Sequence, residues 1–475
     1  MSKYKKQFKI TIPRVAFEKL EKVLQNNPPN FKFETEGFYG IIRDISSKMF
    51  DSEDGMVPLS STILQRKYGE RYRLMLDYLV LNNLIKENHQ FLENKCRSFT
   101  LVSNSKRSRK ETTTVEINLD TQFGKYVKKR HNEEQRKAKT KLIYIRTLRK
   151  EFYDMNFDFQ SAVDDLNSKR DLITEEQYFA IYDDLLCLSK GNSVRRYFSR
   201  NTTNNRIDTN ITALKSYFKK YIISDQILYS FDLKNSQPVI FNVILNLISM
   251  EIMKDDLTPA LFYGNTHLKE LVTQSSKRFE KDQKLVIQLQ QEIENYKKYT
   301  GNGTWYNHLS EIYNDYYHTD YFDRDKAKTM WMALAYSSNR SERYNPMKVA
   351  FEKKYPQITT ILKTFKRKNY KNLAIVLQQI ESNIFIDQLA VRLIENGIVP
   401  LTIHDSIIIR ENDLCQAQEI MNQVLSDSIG FLPVIQGEKL IASEFKSKYH
   451  AVDIAEKINE LDMQRMALAI KAQRN

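Results

Sequence analysis

The stretch Arg324–Tyr336, RDKAKTMWMALAY, decides how the rest of the chain is read. Arg324, Lys328, Met332 and Tyr336 recur every four residues, so on a helix they share one broad face that drifts slowly around the axis. Two cations, an apolar side chain and a phenol on one face suit a triphosphate, a base and a sugar. Two acidic segments flank this stretch at a distance. Upstream, FDLKNSQP carries Asp232 at the end of the apolar run ILYSF, with a helix expected after Pro238; downstream, LTIHDSIII sets His404 and Asp405 inside an apolar strand. A carboxylate at the end of a buried strand needs compensation, which a metal ion supplies. A turn at His404-Asp405 between paired strands presents Asp405 towards Asp232. Magnesium takes carboxylate and phosphate oxygens, and two such ions about 4 Å apart activate a 3′-hydroxyl and stabilise a leaving pyrophosphate. Taken alone, Asp232 reads as a helix cap, and Arg324 with Lys328 as a solvated helix face. Together the three segments predict a nucleotidyl-transfer site.

Composition bounds the setting. The 475 residues are 41% hydrophobic and 11% aromatic, enough for several cores, while 12 Gly and 10 Pro favour long helices over an all-β chain. Lys and Arg number 73 against 59 Asp and Glu, a net +14. That excess predicts a polyanionic partner, nucleic acid rather than a membrane, since no apolar run is expected to reach spanning length. The plainer reading is a generally basic surface. Cys96, Cys187 and Cys415 are far apart and lack any CxxC spacing, so neither a zinc site nor a disulfide framework is expected. MSKYKKQFKITIP has no signal-peptide core, which predicts a cytoplasmic setting in a bacterial or phage-infected cell.

Residues 1–103 read as a strand (QFKITIP), a helix, and then a helix FYGIIRDISSKMF, a turn DSEDG, a helix opening at Leu59-Ser60-Ser61, a helix RYRLMLDYLVLNNLIKE after Gly69, and two strand-like pieces, QFLEN and RSFTLV. Three helices and a hairpin are the order of a winged-helix domain, which would set Arg71 and Arg73 at the start of a groove-binding helix. A protein-contact domain of the same fold is the alternative. NSKRSRK (104–110) reads as a linker, and GKYVKKRHNEEQRKAKTKLIYIRTLRKEF as a basic helix able to follow a phosphate backbone or to lie on the surface. EKDQKLVIQLQQEIENYKKY (280–299) is a polar helix. VRRYFSRNTTNNRIDTNITALKSYFKKYI (194–222), with Arg195, Arg196 and Arg206, is rich enough in Arg, Asn and Thr to bind phosphates and sugars, a plain loop being the alternative.

Asp232, the Arg324–Tyr336 stretch and His404-Asp405 resemble motifs A, B and C of the superfamily joining single-subunit RNA polymerases, of phage and mitochondrial type, with the family A DNA polymerases. Arg, three residues, Lys, seven residues, Tyr is similar to the fingers-helix signature; MALAYSS and HDS resemble the RNA-polymerase forms. The likeness covers roughly residues 195–450. It implies an α+β, mostly helical right-hand fold of thumb, palm and fingers, with 104–200 a basic linker and helical thumb-like region and 201–475 the palm and fingers; the N-terminal third, with 1–103 read above as a winged-helix-like domain, lies outside it. It implies that Asp232 and Asp405 bind two Mg²⁺, with Mn²⁺ an alternative. Arg324 and Lys328 would hold the incoming nucleoside triphosphate, Lys328 also protonating pyrophosphate, and Tyr336 would stand at the templating position. His404 would lie near the primer terminus, and Arg206 in NNRID would contact the template–product duplex, with Asn205 in place of a glycine. Three departures and one match bear on the product. Gln237 stands where RNA polymerases keep glycine and DNA polymerases a gating glutamate; Met332 follows the RNA-polymerase form; Ser337 replaces a glycine; and Glu381 stands where a ribose-contacting histidine is expected. The resemblance thus implies a template-directed polymerase, RNA synthesis on DNA as transcriptase or primase being slightly favoured. The alternatives are a DNA polymerase or reverse-transcriptase-like enzyme with the same palm, and a winged-helix nucleic-acid-binding replication or defence factor with a silent palm.

Overall fold

In the computed structural model the apolar stretch around His404 and Asp405 forms two strands, Leu401–Ile403 and Ser406–Arg410, joined by those two residues. They belong to an antiparallel sheet in the order Leu401–Ile403, Ser406–Arg410, Leu228–Leu233, Ile435–Lys439. The structure describes residues 8–47, 56–88, 96–102, 112–137, 142–189, 196–254, 266–280, 282–340 and 346–440, with backbone alone at 130–137, 175–176 and 266. The chain is α+β and dominated by helices.

Successive strand residues point to opposite faces, and on the two central strands, Leu228–Leu233 and Ser406–Arg410, both faces are covered. Phe231, Leu233, Ile407 and Ile409 enter one apolar core, while Leu228, Ile403 and Ile408 enter another. That is why Ile407-Ile408-Ile409 runs without polar alternation: a strand buried on both sides has no wet positions to fill. The first core is helical. At its centre lies Ser236–Met253, which begins two residues before Pro238 behind Asn235, a residue in the left-handed conformation (φ 55°) that asparagine tolerates. The expectation that no apolar run reaches spanning length is corrected here: this helix is long and apolar enough to cross a membrane, and most of it is buried against its neighbours.

The second core gathers the helices Ile143–Asp154, Phe159–Ser168 and Glu175–Leu188 with a hairpin of Phe198–Arg200 and Ile207–Thr209. A boundary at 200/201 therefore cuts through one hairpin and is not where the chain divides. The long basic stretch is two helices, Gln122–Lys137 and Ile143–Asp154.

The N-terminal body has its own core. Phe8–Pro13 forms a strand and runs into the helix Arg14–Asn26, as expected. Three further helices, Thr35–Ser46, Ser61–Tyr68 and Tyr72–Leu81, pack with a sheet ordered Val57–Pro58, Ser98–Leu101, Ile85–Asn88. Gly69 closes the second of these with φ 81°. DSEDG, QFLEN and NSKRSRK lie outside the described residues. Phe8–Pro13 pairs with Thr112–Ile117, so this body extends past residue 103. Arg43 ties it to the second core through Asp183 at 2.7 Å.

The polar helix expected over 280–299 is Gln283–Gly301, and it carries a buried carboxylate, Glu292. Glu292 accepts hydrogen bonds from the backbone N–H groups of Gln357 (3.0 Å) and Ile358 (2.9 Å), opening the helix Pro356–Lys366. An anion there meets donors that no helical carbonyl can reach. Burial outweighs those bonds and raises the carboxyl from its ordinary 4.5 to about 7. Between those values the folded chain keeps a proton that the unfolded chain has lost, so this group's contribution to stability falls as pH rises from about 4.5 to about 7. Glu292→Gln should therefore narrow the gap in melting temperature between pH 5 and pH 7.5, two points on either side of about one titration; an unchanged gap rules this out.

Candidate functional site

Two strands bring the acids together. Asp232 lies opposite Ser406 in the ladder, and the Leu233 N–H donates to the Asp405 carbonyl at 3.2 Å, so the end of one strand is stitched to the turn of the next. In that turn His404 is left-handed (φ 52°), an uncommon conformation for a residue with a Cβ and one that clusters at functional sites. The Asp232 side chain opens to solvent. Even so, the protein packed around it and, next, the negative charge of Asp405 raise its carboxyl to about 7, with Glu438 adding to the rise. Lys219 and Lys328 pull the other way. An acid pair left this short of positive charge fits a divalent cation. Among the described residues no three His, Cys, Asp or Glu side chains gather into a complete metal cage. Magnesium does not need one, since one or two carboxylates plus substrate phosphates serve it.

The helix Arg324–Tyr336 has the bounds read from the sequence. Asp323 caps it, accepting from the N–H groups of Asp325 (3.0 Å) and Lys326 (2.9 Å), and the buried Lys366 ammonium donates to the Leu334 carbonyl at its far end (2.7 Å). Both charges match the helix dipole. Ala327, Trp331, Leu334 and Ala335 anchor it in the core; Arg324, Lys328 and Met332 are exposed, and Tyr336 is half-buried. Arg324 stacks over the buried Tyr306 ring, 5.6 Å from its centroid. Burial pushes the Tyr306 hydroxyl up to about 12, with Arg324 opposing and Asp405 adding to the rise. Lys328 thus lies within electrostatic reach of Asp232, and Tyr306, under the Arg324 guanidinium, lies within reach of Asp405.

At the end of this helix a polar chain runs inward. The Tyr336 hydroxyl donates to Gln237 Oε1 (2.9 Å), Gln237 Nε2 donates to Glu381 Oε2 (2.5 Å), and Arg206 pairs with Glu381 Oε1 (2.6 Å). Glu381 is 1% exposed, so it stands behind Gln237 and lines no open surface. Burial raises its carboxyl to about 7 against the pull of Arg206.

The other residues singled out from the sequence fall differently. Arg196 is a correction: it is buried, and its guanidinium donates to the carbonyls of Tyr153, Met155 and Leu188, which fastens the second core and leaves no face for a phosphate. Arg195 lies outside the described residues. Arg71 and Arg73 are exposed at the start of Tyr72–Leu81, Arg71 donating to the Lys32 carbonyl (3.2 Å) and Arg73 to the Tyr72 hydroxyl (3.1 Å). His404 is half-buried, with Nδ1 enclosed and unpartnered; burial and then Arg206 hold the ring below its ordinary value. Sequence reading missed Lys219, Tyr306 and Glu438. Only Lys219 had a signal, its place in the cationic stretch before Asp232.

No protein-family model matches the chain, and no curated protein matches it. Among solved structures it is similar to the POL domain of Pol1 from M. smegmatis in complex with DNA primer-template and dNTP, at 11% identity over 58% of this chain, with a TM-score of 0.23. The chain matches about half of that domain's length, 55%. So faint a likeness decides nothing about activity.

Proposed function

We propose that the chain polymerises nucleoside triphosphates on a nucleic-acid template by two-metal nucleotidyl transfer, with RNA synthesis on DNA favoured. The observation that carries this reading is the convergence of Asp232, Asp405, Lys328 and Arg324, from three distant segments, on one neighbourhood. In this reading Asp232 and Asp405 hold two magnesium ions. Bound there, the metal supplies charge to activate a strand's 3′-hydroxyl and to stabilise the departing pyrophosphate. Arg324 and Lys328 grip the triphosphate, and the Lys328 ammonium gives a proton to pyrophosphate as it leaves. Met332 and Tyr336 face base and sugar. The sheet and its helices act as palm and fingers, the second core as thumb, and the N-terminal body as a winged-helix docking module. The test is primer extension with DNA and RNA templates, NTPs or dNTPs, and Mg²⁺ or Mn²⁺, with and without primer. No incorporation under any combination would reject the reading.

A second reading, DNA synthesis, is favoured by Gln237, whose amide is pinned between Tyr336 and Glu381 where a sugar gate belongs. Gln237→Gly should raise the NTP-to-dNTP incorporation ratio by about tenfold, the scale of one steric or hydrogen-bond contact. An unchanged ratio would remove Gln237 as a gate.

A further inference from the structure

The hairpin of Phe198–Arg200 and Ile207–Thr209 has two unlike faces. Phe198 and Ile207 point into the second core. The alternate residues Tyr197, Ser199 and Asn201, with Asp208 directly across the ladder from Ser199, line a cavity of about 510 Å³ together with Thr212, Ala213 and His404. This cavity adjoins the acid pair, because His404 precedes Asp405 in the turn.

Its chemistry is unusual for a protein of this charge. The chain carries a net +14, yet no Lys or Arg lines the cavity. Phosphates bind where cations or free N–H groups converge, and a carboxylate in the lining repels them. Asp208 is poorly satisfied within the protein: its one hydrogen bond among the described residues is from Asn201 Nδ2 at 3.4 Å. Asn201 Oδ1 is already engaged by the N–H groups of Thr203 (2.8 Å) and Asn204 (3.4 Å), and the Thr212 hydroxyl by Thr209. What the cavity offers is therefore a strong acceptor in Asp208 and a neighbouring serine hydroxyl. A ligand that fits must donate a hydrogen bond and carry no negative charge at that point. A deoxyribose has no hydroxyl to donate within a strand, whereas a ribose does, and its 2′-hydroxyl both donates and accepts.

Building on the polymerase reading, we propose that this hairpin face binds ribose hydroxyls near the growing end of an RNA strand, with Asp208 accepting from a 2′-hydroxyl. The site would hold an RNA primer or product strand in preference to a DNA one, independently of the sugar of the incoming nucleotide.

The experiment measures, by fluorescence anisotropy, binding of the full chain to primer–template duplexes that differ in one sugar. Each of the last three primer nucleotides is made deoxy, ribo or 2′-O-methyl in turn. A single ribonucleotide at one of these positions should tighten binding roughly tenfold, as one hydrogen bond to a charged acceptor does. The 2′-O-methyl sugar keeps the ribo pucker but cannot donate, and should bind like deoxy. Asp208→Ala should bring the ribo and deoxy duplexes within about twofold of each other. Equal binding of all three sugars by the unaltered protein, or a ribo preference that survives Asp208→Ala, overturns the proposal and leaves the polymerase reading in place. Failure to bind any duplex overturns both.

Discussion

Asp232→Asn or Asp405→Asn should lower nucleotide incorporation by about a thousandfold or more, the scale on which a site's electrostatic centre acts, while leaving duplex binding within about threefold. The two losses separate because affinity for a duplex comes mainly from cations meeting phosphates. The acids contribute nothing to that term and repel it. Asparagine keeps the size and one oxygen of the side chain but removes the negative charge a divalent ion needs. Either change also removes the mutual repulsion that, after burial, raises the Asp232 carboxyl. The folded chain should therefore be no less stable, and a melting curve at pH 8 is the control. Loss of duplex binding with turnover intact would overturn the assignment.

Arg206→Ala should destabilise the fold by about 3 kcal/mol at pH 8, the usual cost of stripping one partner from a buried ion pair. Glu381, 1% exposed, would keep only Gln237 as a described partner. Its carboxyl is already raised to about 7 with Arg206 beside it, and without that cation it rises further. A folded carboxyl that holds its proton to higher pH loses the penalty once protonated, so the destabilisation should shrink at pH 6. In a Glu381→Gln background the same substitution should cost less than about 1 kcal/mol, because no buried charge is left behind. Both tryptophans, Trp305 and Trp331, are buried in the helical core, so their fluorescence during urea unfolding reads these differences. Equal costs in the two backgrounds would mean that Arg206 stabilises by packing alone.

The parts of the site that could be read from sequence are those where a residue breaks its local pattern. Asp232 ends an apolar strand, Asp405 interrupts one, and the four-residue recurrence in Arg324–Tyr336 fixes a helix whose exposed and buried faces fall as the spacing requires. What stayed hidden depends on partners distant in the chain. Nothing near Arg196 shows that three backbone carbonyls await it, two of them more than thirty residues away. Glu381 sits in a helix that would read equally well with it exposed, yet it is buried and paired with Arg206 across the fold. Tyr306 has no motif and is defined only by the guanidinium above it. The N-terminal boundary was drawn short because Phe8–Pro13 finds its partner strand only at Thr112–Ile117, a long-range pairing with no local mark.

The two-sided burial of the sheet has a mechanical consequence. A plank gripped above and below cannot swivel without prising open a core on each side, so the acids ride on strands braced from both faces. The cationic helix holds on by one flank, through Ala327, Trp331, Leu334 and Ala335. In the polymerase reading, opening and closing around a nucleotide would be a swing of that helix towards a stationary anvil.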